Sequence, residues 1–72
     1  MMSGHDLLLA GRRVLVTGGA RGLGYAFAQA IGQAGARVVI ADVLHERVQQ
    51  AAAELRALGL DVQAVTVDLA QP

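Results

Sequence analysis

Three short stretches of this 72-residue chain hold the residues that could do chemistry: Thr17-Gly18-Gly19-Ala20-Arg21-Gly22-Leu23-Gly24, then Asp42-Val43, then Asp68-Leu69. The first follows directly on the apolar, β-branched run Val14-Leu15-Val16, and a helical apolar pattern begins as soon as it ends. Spaced glycines at 18, 22 and 24 describe a tight turn, because backbone without Cβ reaches φ > 0 and lets a bulky anion approach the amides. A helix that starts there aims unpaired N–H groups and a partial positive charge at whatever occupies the turn. The chemistry such a turn suits is the holding of a pyrophosphate, and the Arg21 guanidinium could pair with a phosphate as well.

Asp42 follows Gly24 by 18 residues, close to the spacing at which an acidic residue meets the ribose hydroxyls of a dinucleotide. A carboxylate there accepts hydrogen bonds from a ribose diol and repels a 2′-phosphate, which favours NAD over NADP. Arg21 and Arg47 pull towards NADP, but Arg21 can serve the shared pyrophosphate and Arg47 reads equally well as a surface helix residue. Taken alone, Asp42 and Asp68 are also ordinary turn-forming aspartates. The glycine pattern is Gly-x-x-x-Gly-x-Gly, not the commoner Gly-x-Gly-x-x-Gly. A P-loop is excluded, since that loop ends in a lysine and the chain has none.

The elements that must position these residues are marked by an internal period. Gly11, Gly35 and Gly59 stand 24 residues apart, and each is followed three residues later by a valine, at 14, 38 and 62. A repeat of strand, helix and glycine turn gives that spacing and predicts βαβαβ. The first strand is expected over about Arg13 to Thr17. A helix from Gly22 or Leu23 to Ala34 should bury Leu23, Phe27, Ala30, Ile31 and Ala34, with Gly35 as its left-handed stop. Strand two is expected from Arg37 to Ala41, helix two from His45 to Leu58 with Leu44, Val48, Ala51, Leu55 and Leu58 inward, and strand three from Val62 to Val67. Right-handed crossovers then order three parallel strands 3-2-1 with both helices on one face. Thr17, Asp42 and Asp68 fall at the carboxyl ends of the strands, the edge where open α/β sheets bind ligands.

That arrangement leaves one sheet face bare and strand one with an open edge. The chain therefore reads as the amino-terminal half of a doubly wound α/β domain, with residues 1–11 as lead-in and 12–72 as βαβαβ. The alternative is a non-catalytic, truncated half-domain that binds nucleotide weakly or pairs with another chain through the open edge of strand one, a homo-oligomer being one such pairing.

Bulk composition narrows the function classes. Six basic and six acidic residues cancel, leaving no basic stripe for nucleic acid or anionic lipid. The apolar run Leu7-Leu8-Leu9-Ala10 is too short for a membrane span or a signal peptide and follows His5 and Asp6 instead of a basic segment. It is expected to pack beside the first strand. The absence of cysteine fits a reducing compartment, so the expectation is a soluble, cytoplasmic protein. His5 and His45 lack the spacing of a metal site or triad and read as surface or capping histidines.

From about Leu8 onward the chain resembles the short-chain dehydrogenase/reductase family, on the strength of Thr17-Gly18-Gly19-Ala20-Arg21-Gly22-Leu23-Gly24, which matches its Thr-Gly-x-x-x-Gly-x-Gly motif. The resemblance implies a Rossmann fold and hydride transfer between a nicotinamide cofactor and an alcohol or carbonyl substrate. It implies that Asp42 selects NAD, that Asp68 and Leu69 contact adenine, that Val43 lies beside the adenosine, and that turn amides including those of Arg21 and Leu23 hold the diphosphate. It implies no catalytic residue here. The family's Ser, Tyr and Lys have no counterpart: Ser3 is the only serine, and Tyr25, the only tyrosine, is followed four positions on by Gln29.

Overall fold

The 24-residue recurrence of glycine and valine becomes the register of a sheet. A computed structural model describes residues 9–20 and 22–68. The elements run β1 (Arg13–Thr17), α1 (Gly22–Gln33), β2 (Arg37–Asp42), α2 (His45–Ala57) and β3 (Val62–Thr66). All pairings are parallel and β2 is central, which is the expected 3-2-1 order. Val14, Val38 and Val62 stand side by side across the three strands. Gly11, Gly35 and Gly59 turn the chain into those strands with φ of 81°, 101° and 89°.

Alternate strand residues face the helices. Val16, Val38, Ile40 and Val62 form a buried layer with Val48, Ala51, Ala52 and Leu55 of α2 and Ala28 of α1. Each of the larger side chains contributes about 1.5–3 kcal/mol by leaving water. On the opposite face Leu15 and Val65 remain 63% and 45% exposed. Among the described residues, the bare face read from the sequence is therefore present.

The inner side of α1 differs from the expected one. Ala28 and Gly32 are its buried residues, Tyr25 and Ile31 pack partly against the core, and Leu23 and Phe27 are 86% and 56% exposed. Ala30 is exposed and Ala34 half-buried. The helix is apolar on nearly every side, so periodicity cannot choose the contact face. Size chooses it, because the smallest residues let the helix come close. A Cβ on Gly32 would already stand 3.1 Å from Leu60 Cδ1. Leu23 and Phe27 instead overhang the outer edge of β1, where they line a groove of about 650 Å³ with Leu15 and Thr17. In α2 the expected face holds for Val48, Ala51 and Leu55, whereas Leu44 and Leu58 lie at the helix ends, 42% and 57% exposed.

Hydrogen-bond parity defines the open edge. The Arg37 N–H donates to the Arg12 carbonyl at 2.8 Å and the Gly18 N–H to the Ala41 carbonyl at 2.7 Å. Even-numbered positions of this segment thus bond towards β2, so Arg13, Leu15 and Thr17 turn their backbone groups to the side where no strand pairs among the described residues.

Candidate functional site

Parallel strands bring Thr17, Asp42 and Thr66 to one edge, and the glycine turn lies on it. The bond from Gly18 N–H to the Ala41 carbonyl continues the β1–β2 ladder by one residue and fastens the turn next to Asp42. Gly18 adopts φ 68° and Gly22 φ 63°, and at both the position a Cβ would take is open space. Backbone there is reachable by a ligand. Gly24, in the first turn of α1, has no such room: a Cβ on it would collide with the Gly18 carbonyl oxygen. The amino terminus of α1 is thereby folded hard against the turn, which aims its unpaired amides along the same edge.

Asp42 closes β2 and shapes the loop after it. Its Oδ1 accepts the Val43 N–H at 2.7 Å and the Leu44 N–H at 3.3 Å, the turn chemistry expected of a short carboxylate. This matters because Leu44, at the N-cap of α2, makes no side-chain capping bond. Both bonds end on one oxygen, so among the described residues Oδ2 keeps its lone pairs for hydroxyl donors. The Asp42 carbonyl accepts the Val67 N–H at 2.9 Å, which draws the tail of β3 alongside. Thr17, Gly18, Ala41, Asp42, Val43 and Val67 enclose a cleft of about 280 Å³. A second hollow, about 410 Å³, lies between the turn and α2 and is lined by Ala20, Arg47, Gln50, Ala51 and Glu54.

Four of the residues singled out in the sequence, Thr17, Gly18, Asp42 and Val43, meet in that cleft. Gly22, Leu23 and Gly24 form the start of α1, but the Leu23 side chain belongs to the groove on the outer side of β1. Asp68 is exposed, two residues past β3, and is not among the residues lining the cleft. Arg21 and Leu69 lie outside the described residues. Sequence reasoning missed Ala41 and Val67 as cleft walls; the signal was their position, each beside an aspartate at a strand end. It also passed over Gly19, which is buried where a Cβ would approach Ile40 Cγ2 to 2.8 Å. Arg47, read as a solvated helix residue, lines the hollow beside the turn.

Residues 12–72 match the family model described as short chain dehydrogenase. The chain belongs to the short-chain dehydrogenase family. It is 51% identical over 61 residues to a short chain dehydrogenase/reductase of Colletotrichum higginsianum, covering 85% of this chain and 23% of that one. Over 58 residues it is 47% identical to the 1-deoxy-11-beta-hydroxypentalenate dehydrogenase of Streptomyces avermitilis, covering 81% and 22%. Among solved structures, the RhlG/NADP active-site complex of Pseudomonas aeruginosa superposes with a TM-score of 0.83 at 43% identity, covering 97% of this chain and 27% of that one. The chain thus spans about a quarter of the length of these short-chain dehydrogenases. Their fold is the Rossmann type expected here, and the family's cofactor is a nicotinamide dinucleotide. Among the described residues, no helix is long and apolar enough to cross a membrane.

Proposed function

We propose that this chain is the adenosine- and diphosphate-binding portion of an NAD-dependent oxidoreductase. The observation that carries the reading is the fastening of the glycine turn to β2 through Gly18 and Ala41, which sets the turn and the Asp42 carboxylate on one cleft. The open space at Gly18 and Gly22 fits a diphosphate against backbone amides. Asp42 Oδ2 fits ribose hydroxyls, while its charge disfavours a 2′-phosphate; this supports NAD over NADP, although the Pseudomonas aeruginosa neighbour is an NADP complex. Val43 and Val67 offer apolar walls to adenine, and Asp68 with Leu69 would extend that contact. When bound, the nicotinamide supplies hydride exchange with an alcohol or carbonyl carbon.

The chain's own residues bind and orient; its sequence holds no counterpart of the family's catalytic Ser, Tyr and Lys, so the 72-residue chain is expected to be inactive in the redox step. A cytoplasmic setting suits this cofactor and the absence of cysteine. The test is a fluorescence titration of the purified chain with NADH and NADPH. Tighter binding of NADH supports the reading, and equal or tighter binding of NADPH overturns the NAD assignment. A second reading, a non-catalytic half-domain that pairs with another chain, rests on the open edge of β1 and the exposed Leu15, Leu23 and Phe27 beside it.

A further inference from the structure

We infer that His45 and Thr66 are a positioning pair that holds the walls of the nucleotide cleft together, an inference that rests on the binding reading above. The loop leaving β2 is secured at its start by Asp42 Oδ1, but at its far end Leu44 offers α2 no capping side chain. His45 supplies the missing attachment: its Nδ1 shares a 2.7 Å hydrogen bond with Thr66 Oγ1, 21 residues along the sequence.

Thr66 is the register partner of Asp42 and immediately precedes Val67, whose N–H donates to the Asp42 carbonyl. A closed ring results: from Asp42 along the loop to His45, across to Thr66, on to Val67 and back to Asp42. The two valine walls of the cleft, Val43 and Val67, both belong to this ring, while neither His45 nor Thr66 lines the cleft. Both partners are exposed, so the bond adds little to global stability. Its effect is local. Opening the ring frees the loop bearing Val43, and affinity falls in proportion to the population of the closed cleft.

The experiment uses the 72-residue chain and its variants Thr66→Val, Thr66→Ser, His45→Phe and the double variant His45→Phe/Thr66→Val. Amide hydrogen exchange at Val43 and Val67 is followed without ligand, and AMP affinity by titration. Thr66→Val is expected to speed exchange at Val43 and weaken AMP binding about threefold, with the melting midpoint nearly unmoved. Thr66→Ser restores both, and the double variant loses no more than the worse single one. If the unaltered chain binds AMP and Thr66→Val matches it in affinity and exchange, the pair is overturned while the binding reading stands. If the unaltered chain does not bind AMP, both are overturned.

Discussion

Gly24 rests against the carbonyl oxygen of Gly18 so closely that a single added carbon would collide with it. The contact is backbone against backbone, so neither side can rotate away, and the start of α1 and the turn move as one body. Gly24→Ala is therefore expected to destabilise the chain by about 1–3 kcal/mol and to abolish NADH binding, read by urea unfolding and titration. Gly59→Ala is the control. It has open space around its Cβ position and suffers only from its φ of 89°, a cost of about 1–2 kcal/mol, and it should leave affinity for NADH unchanged once folded.

Asp42 has two separable duties, and a single substitution divides them. Asn keeps an oxygen that can accept the Val43 and Leu44 N–H groups, so the loop survives in Asp42→Asn. The negative charge goes. The expected outcome is a several-fold shift of the NADH to NADPH affinity ratio towards NADPH, by about tenfold if one charge-assisted hydrogen bond is lost. An unchanged ratio with a normal melting curve would remove Asp42 from cofactor selection.

The sequence was legible where one residue type answers one physical demand. Gly35 and Gly59 had to end helices, and the valines after them had to fall in register, so βαβαβ and the strand order followed from the 24-residue period. It was illegible on α1, where Leu23, Phe27, Ala28 and Ile31 all satisfy an apolar pattern and only the close approach allowed by Ala28 and Gly32 selects the buried side. The place of Asp42 at the end of β2, in one cleft with Gly18, was readable from the strand pattern. Val67 and the His45–Thr66 bond were not, because both depend on how the tail of β3 meets the loop after β2, a relation between segments more than 20 residues apart.

Among the described residues no strand pairs with the outer edge of β1, and an unpaired strand edge is a template for association. Leu15 lies centrally in the five-residue strand with its backbone groups turned outward, and Phe27 and Leu23 extend the apolar surface. The isolated chain is therefore expected to self-associate, and Leu15→Lys combined with Phe27→Glu to shift it towards monomer. Both side chains are largely exposed, so the substitutions should leave the far-ultraviolet circular dichroism unchanged. Sedimentation velocity over a range of concentrations reads the result, and an unaltered chain that stays monomeric throughout would refute the expectation.

Tyr25 gives the chain an alkaline limit that can be watched directly. Burial pushes its phenol above the ordinary tyrosine value, and the hydrogen bond to Glu54 and that carboxylate's charge push it the same way. Below pH of about 10 the phenol is neutral in both folded and unfolded chains, and its contribution to stability is complete. Above that, the unfolded chain ionises first, so stability falls as pH rises through the unfolded and then the folded value. The chain has no lysine and no cysteine, and Tyr25 is its only tyrosine, which leaves no other side chain titrating between about pH 9 and 11.5. Urea midpoints measured across this window are expected to decline for the unaltered chain and to stay level for Tyr25→Phe, while phenolate absorbance reports the ionisation itself. Glu54→Gln should bring the Tyr25 titration back towards its ordinary value. A midpoint that falls equally in Tyr25→Phe would show that the alkaline limit does not lie in this pair.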